Sequence, residues 1–365
     1  MEQQQLTSIK DIGEFGLIGH LRDVLGPAAE HDDVLRGIAD DAAVYRIGDG
    51  RVHVLTTDAL IEGIHFDRTF TPMEHLGFKA VSVNVSDVVA MNARPRYATM
   101  TIGVPQQVPV EALSQLYQGV RQACEAYDMT LVGGDTTAAH QFTLSVTVVG
   151  AADEDAIAYR SGAQPGDALC VTGDLGASFA GLKALLWQRE QLQEKGDDFQ
   201  PDLDPFTYVI QRHLAPPAQL KAVRDWAEHG VRPTALIDIS DGLASEVNHI
   251  CEASGTGALV YGKDLPISKD TLNAAEYFDE EVNVYALFGG EDYELLFTLP
   301  PDDLEVLKEM TPDAFFVIGE ITEQEAGIQI QQPGGTTEPL RPGGFDHFAD
   351  GAPGSAGQDG GIGPR

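Results

Sequence analysis

Cysteine is nearly missing from this chain: Cys124, Cys170 and Cys251 are the only three in 365 residues. They are odd in number, far apart and outside any CxxC spacing, which excludes a disulfide framework and a cysteine zinc site and leaves them as expected reduced core residues. Basic side chains are scarce as well. Lys and Arg number 23 against 57 Asp and Glu, a formal net charge of −34. A field of that sign repels nucleic acid and anionic membrane surfaces, so neither is expected as a partner. No apolar run approaches the roughly 18 to 20 residues of a membrane span, and the polar stretch from Met1 to Lys10 has no apolar segment behind a basic start. A soluble, cytoplasmic protein is the expectation. The phosphate-binding pattern G-x-x-x-x-G-K-[ST] is absent, since Gly262-Lys263 is followed by Asp264. H-R-D and D-F-G are missing too, which sets aside P-loop enzymes and protein kinases.

What is present is enough apolar material for two cores. Hydrophobic residues make up 43% of the sequence, and domains usually run to roughly 100 to 200 residues. Val52 to Leu55 and Phe142 to Val149 read as strands, while Glu111 to Tyr127 and Gly176 to Leu192 carry helical apolar spacing. Strands and helices therefore interleave, an α/β or α+β pattern. The Gly- and Pro-rich stretch Ser161-Gly-Ala-Gln-Pro-Gly-Asp167 marks the expected boundary between residues 1–160 and 161–348. Residues 349–365, rich in Gly and small polar residues, are expected to form a disordered tail. From His75 to Met91 the alternation of Val81, Val83 and Val85 suits a strand, yet the segment fits one helix equally well. The acidity has two readings, adaptation to high salt or a cation-binding function.

Five acidic clusters sit in small, Gly- or hydroxyl-rich turns that follow apolar runs. They are Gly37-Ile-Ala-Asp-Asp-Ala-Ala-Val44, Thr56-Thr-Asp-Ala-Leu-Ile-Glu-Gly-Ile-His-Phe66, Val85-Ser-Asp-Val-Val-Ala-Met91, Leu131-Val-Gly-Gly-Asp-Thr-Thr137 and Ala235-Leu-Ile-Asp-Ile-Ser-Asp-Gly-Leu243. Two carboxylates about 4 Å apart repel by roughly 4 kcal/mol at an effective dielectric near 20, so clustered acids need water or a cation between them. Oxygen-only sets of Asp and Thr suit magnesium. Each cluster also has a plainer reading: a solvated turn for Asp40-Asp41, a pair with Lys79 for Asp87, an ordinary Gly-Gly turn, and a helix cap for Asp241 or Ser240. Two further segments stand out. Val171-Thr-Gly-Asp-Leu-Gly176 leads into a helix whose N-terminus could accept phosphate, and Phe288-Gly-Gly-Glu-Asp-Tyr-Glu-Leu295 puts Glu291 and Asp292 after two glycines.

Read in this order, the motifs resemble the thiamine-monophosphate kinase family of the aminoimidazole ribonucleotide synthetase-like superfamily. The resemblance runs from Gly13-Glu-Phe-Gly-Leu-Ile18 to Gly343-Gly-Phe-Asp-His-Phe348. It departs from the family pattern at Ala39, where a glycine is usual, and at Gln219, where a basic residue is usual. The resemblance implies a two-domain fold, its N-terminal sheet forming a homodimer interface and its C-terminal α/β domain covering the nucleotide, with residues 76–91 helical. It implies Asp41, Thr56, Thr57, Asp58, Asp87, Asp135, Asp238 and Asp241 as ligands of several Mg2+ ions. Gly134, Asp135, Arg160 and Ser240 would contact ATP, and His65, Glu291 and Phe345 would hold thiamine monophosphate. A sister synthetase of the superfamily and a non-catalytic nucleotide-binding regulator are the rival readings.

Overall fold

The computed structural model describes residues 7–26, 31–196 and 199–343; the expected tail and Phe345 lie outside them. Two sheets organise the chain. The first has the order β1-β2-β3-β6-β4-β5, built from β1 (Val34–Arg36), β2 (Ala43–Gly48), β3 (Arg51–Ile61), β4 (Arg94–Val104), β5 (Thr130–Ala138) and β6 (Thr143–Asp153). The second has the order β13-β12-β9-β11-β7-β10-β8, from β7 (Ala168–Val171), β8 (Ala235–Asp238), β9 (Gly257–Tyr261), β10 (Leu295–Leu299), β11 (Phe316–Thr322), β12 (Ile328–Gln331) and β13 (Thr337–Pro339). Antiparallel pairing dominates both; β4 with β5 and β9 with β12 are parallel.

Strand alternation divides the faces of the first sheet. Val52, Val54 and Leu60 of β3, with Ala98, Met100 and Ile102 of β4 and Leu144, Val146 and Val148 of β6, point inward and are buried. They pack beneath α2 (Met73–Ala90) and α3 (Val110–Tyr127). The opposite face leaves Leu55 and Tyr97 exposed.

The helix α2 is buried on nearly every side, as befits one wedged between two layers. One side meets α3 so closely that a Cβ added at Gly77 would lie 1.9 Å from the Leu116 carbonyl oxygen, and one at Gly119 would lie 1.8 Å from that of Glu74. A second side turns toward the other sheet: Ser82 Oγ donates to the Pro216 carbonyl, and Ser86 Oγ donates to Asp238. The core around α2 accordingly continues into Trp226, Leu236, Leu295 and Phe297 of the second half. The remaining helices are α1 (Ile9–Leu25), α4 (Ala177–Lys195), α5 (Thr207–Leu214), α6 (Leu220–His229), α7 (Leu243–Ser254), α8 (Lys269–Tyr277), α9 (Val282–Phe288) and α10 (Pro301–Met310). Among the described residues no helix is long and apolar enough to cross a membrane.

Candidate active site

Four segments deliver acids to one cluster: the turn before β2 (Asp40, Asp41), the middle of β3 (Thr56, Asp58), the last turns of α2 (Ser86, Asp87) and the end of β8 (Asp238). Thr56 Oγ1 donates to Asp87 Oδ2 at 2.5 Å, the Asp58 amide donates to Asn84 Oδ1 at 2.9 Å, and Ser86 Oγ donates to Asp238 Oδ2 at 2.5 Å. The acids feel one another. Asp87 is pushed well above the usual carboxylate range by burial, and further by the charges of Asp58, Asp238 and Asp41. Asp238 rises to about 8, through burial first and then Asp41. Such mutual elevation marks a site built for a positive charge. Among the described residues no three His, Cys, Asp or Glu side chains stand close enough together to hold a metal ion, as mutual repulsion between unscreened carboxylates requires. The fit rests on the donor set, all hard oxygens, and on the buried Asp41 Oδ2, which has no hydrogen-bond partner.

Arg160 is the counter-charge nearest these acids. Its Nε and Nη2 both donate to Asp41 Oδ1, at 3.1 and 2.5 Å, and its amide donates to Asp40 Oδ1 at 3.3 Å. Asp40 is also paired with Arg36 at 3.2 Å, and burial together with Asp41 raises it to about 6. The turn carrying both acids is strained at Ala39, whose φ of 109° is a glycine conformation. Replacing Ala39 by Gly relieves that strain, and urea unfolding is expected to show a gain of about 1 kcal/mol. An unchanged or lower midpoint would count against strain there.

Two loops of the second half are zipped together beside the acids. The Ile239 amide donates to the Glu294 carbonyl, the Tyr293 amide to the Ile239 carbonyl, and the Glu291 amide to the Ser240 carbonyl at 2.7 Å. The plainer reading, a cap of α7 by Asp241 or Ser240, is not formed; Gly242 occupies that position, and the buried Glu246 side chain reaches back to accept from the Asp241 amide at 2.9 Å. Glu291 meets Lys79 of α2 at 3.0 Å and His213 of α5 at 3.3 Å. Lys79 therefore pairs with Glu291 and leaves Asp87 to the acid cluster. Lys79, His213 and then His65 keep the Glu291 carboxyl below its ordinary range despite burial. His65 has its Nδ1 turned to its own turn, accepting from the Ile61 amide at 3.1 Å.

Asp292 does something other than face a ligand. Its carboxylate accepts from the Gly176 and Ser178 amides at 2.7 and 3.3 Å. The N-terminus of α4 is thereby filled by a side chain of the protein, the ligand-free form of such a turn. Below it, Arg212 donates to Glu294 at 2.7 Å and to the Asp292 carbonyl at 3.1 Å, anchoring the same loop.

Against proteins of known sequence, residues 39–152 match the family described as AIR synthase related protein, N-terminal domain, and residues 164–330 match its C-terminal domain. Thiamine-monophosphate kinase of Aquifex aeolicus is 35% identical over 93% of this chain and 99% of its own length. The enzyme of that name from Salmonella typhimurium is 36% identical over 92% and 98%. The chain belongs to the thiamine-monophosphate kinase family. A solved structure described as AaThiL complexed with AMPPCP and TMP superposes with a TM-score of 0.79, at 34% identity, covering 95% of this chain and all of that one. The two-domain aminoimidazole ribonucleotide synthetase-like fold and the helix over residues 76–91 are both as expected.

Within this thiamine-monophosphate kinase family member, not every expected ligand reaches the cluster. Alternation along β3 turns the Thr57 hydroxyl to the opposite face, where it donates to the Val146 carbonyl at 3.1 Å and accepts from Thr147. Of the two threonines only Thr56 presents a hydroxyl to the aspartates. Gly134 and Asp135 lie on edge strand β5. The register runs Asp58, Val146, Met100, Gly134 across β3, β6, β4 and β5, three strand spacings or about 14 Å. Gly134 has its own packing reason: a Cβ there would sit 1.9 Å from the Met100 carbonyl oxygen. Lys79, Arg212, His213 and Glu246 were not among the expected site residues, although the first three lie inside stretches that carry the resemblance.

Proposed function

We propose that this protein transfers the γ-phosphoryl group of ATP in line to the phosphate of thiamine monophosphate, giving thiamine diphosphate without a phosphoenzyme. The observation that carries this reading is the convergence of Asp41, Asp58, Asp87 and Asp238 from four separate segments, with Arg160 bonded to Asp41 and Arg36 to Asp40. ATP and thiamine monophosphate are both anionic, and Arg36 and Arg160 are already paired with Asp40 and Asp41. Magnesium held by these aspartates would supply the missing positive charge. Thr56, Ser86 and Asn84 orient the residues that would hold it, Asp241 adjoins them, and Asp135, three strands away on β5, would serve a further ion. Arg160, now bonded to Asp41, borders the same cluster and would contact ATP phosphates together with Ser240 and Gly134. His65 and Glu291 line the thiamine end, with Phe345 assigned there by sequence. The accepting phosphate oxygen is ionised near neutral pH, so no general base is required.

The same reading divides the chain near residue 160, between the last strand of the first sheet and the first of the second. It includes a cytoplasmic location, testable by fractionation. It also includes a homodimer laid on the open face of the first sheet, where Leu55 and Tyr97 are 37% and 53% exposed. A single-chain mass by light scattering would remove the dimer.

The test is incubation with magnesium, ATP and thiamine monophosphate from low to molar potassium chloride, with thiamine diphosphate read by chromatography. Product is expected, and no labelled protein should be trapped from labelled ATP. A folded protein giving no product at any salt would move the assignment to the sister synthetases.

A further inference from the structure

Glu291 stands at a seam. It belongs to the loop between α9 and β10, in the second half of the chain, while one of its two anchors, Lys79, comes from α2 in the first. Its backbone is left-handed at φ 55°, as is that of Tyr293 at φ 52°. For residues with a Cβ this conformation persists only where surrounding contacts enforce it. Those contacts are specific. Lys79 Nζ takes Oε1 at 3.0 Å, His213 Nδ1 takes Oε2 at 3.3 Å, and the Glu291 amide is tied to Ser240. Lys79 is itself 2% exposed, and His213 4%. His213 is uncharged near neutral pH, because burial and then Lys79 push it down to about 3. Its Nδ1 faces the Glu291 carboxylate and Ser178 Oγ together, the latter at 3.2 Å. Each carboxylate oxygen then holds one internal partner and keeps a lone pair for an incoming donor.

We propose that Lys79 and His213 are positioning residues that fix the Glu291 carboxylate across the seam, and so set the grip on the thiamine moiety of the phosphate acceptor while leaving ATP binding alone. This rests on the reading that thiamine monophosphate is the acceptor. The chemistry recognised is a donor-bearing or cationic heterocycle, which an oriented carboxylate binds and a freely rotating one holds poorly. Lys79 is buried and touches the acceptor only through Glu291. Its removal therefore acts on affinity for one substrate, whereas a merely structural lysine would lower stability and leave the ratio of the two substrate affinities unchanged.

The test is a double-mutant cycle on the full chain with Lys79→Met, Glu291→Gln and both together. Each protein is measured for KM of both substrates, for thiamine monophosphate binding by calorimetry without ATP, and for thermal unfolding. Lys79→Met should weaken thiamine monophosphate about tenfold in KM and Kd, with KM for ATP changed less than about twofold. In the Glu291→Gln background the same substitution should add less than about twofold. Equal losses in both backgrounds, or a lowered melting temperature with unchanged thiamine monophosphate binding, would overturn the proposal. If Lys79→Met does not fold, His213→Leu, which removes the other anchor of Glu291, carries the same cycle. A parent protein that turns over ATP but not thiamine monophosphate would remove the acceptor assignment instead, and the two failures are distinguishable because the parent is measured first.

Discussion

Asp87→Asn is expected to abolish product formation, by about a thousandfold or more, and at the same time to raise the melting temperature of the metal-free protein. The two effects share one cause. Asp87 sits on the last turns of α2 among Asp58, Asp238 and Asp41, and burial plus those charges push its carboxyl well above the usual range. A carboxyl with a raised folded-state pKa opposes folding once the pH exceeds its unfolded value of about 3.9. The penalty grows as pH rises toward the folded value and vanishes below about pH 4, where both states are protonated. Asparagine has the same shape and can accept the Thr56 hydroxyl bond that Asp87 now holds. In chelator at pH 8 the substitution is expected to stabilise by about 1 to 2 kcal/mol, or several degrees, and the difference should shrink as pH falls. With magnesium and ATP the order should invert, because a ligand that binds only the folded parent adds stability in proportion to its saturation. Scanning calorimetry at both pH values, with and without magnesium and ATP, reads all of this. Failure of the order to invert would remove Asp87 from the proposed ligands.

The same helix explains why part of the fold was legible from sequence and part was not. Val81, Val83 and Val85 alternate with Ser82, Asn84 and Ser86, which looks like a strand because α2 is buried almost all round and has no polar face to impose a helical period. Each small polar residue has a private partner: Ser82 the Pro216 carbonyl, Asn84 the Asp58 amide, Ser86 the Asp238 carboxylate. Those partners lie far along the chain, and nothing local announces them. Regular strands and amphipathic helices, such as β6 and α3, read correctly because their burial is one-sided.

Among site residues, the acids were legible because a carboxylate in an apolar turn is costly and therefore informative. The Thr57 hydroxyl points away from Thr56 and Asp58, as the period of two along a strand requires. The turn before α4 carried a helix N-terminus in plain view, but its occupant, Asp292, comes from the loop before β10, 116 residues along the chain. Lys79, His213 and Glu246 are supporting residues, and their roles exist only once α2, α5 and α7 have packed. A sequence shows which groups need partners; the fold decides which groups become them.

That dependence on packing is sharpest where α2 crosses α3. Gly119→Ala is expected to destabilise the protein although it places a better helix former in a helix interior. Helix propensity alone favours alanine by about 1 kcal/mol. Against it, the new Cβ would lie 1.8 Å from the Glu74 carbonyl oxygen and 2.9 Å from the Phe78 nitrogen, backbone atoms that cannot rotate away. Separating two packed helices costs about 3 kcal/mol or more, so the net loss should be about 2 kcal/mol in urea unfolding. Gly77→Ala presses on the Leu116 carbonyl from the opposite helix and should behave alike. Because the first substitution already opens the crossing, the double variant should lose less than the sum of the singles. Gly19→Ala on α1 is the control: no atom lies within 4 Å of its added Cβ, so propensity alone acts and stability should be unchanged or slightly higher. Activity is expected to fall further than stability does. Lys79, Asn84, Ser86 and Asp87 all ride on α2, and a displacement of about 1 Å at reacting groups can cost about a hundredfold in rate. A Gly119→Ala protein with parental stability and turnover would show that the crossing relaxes freely and that α2 does not set the geometry of the aspartates.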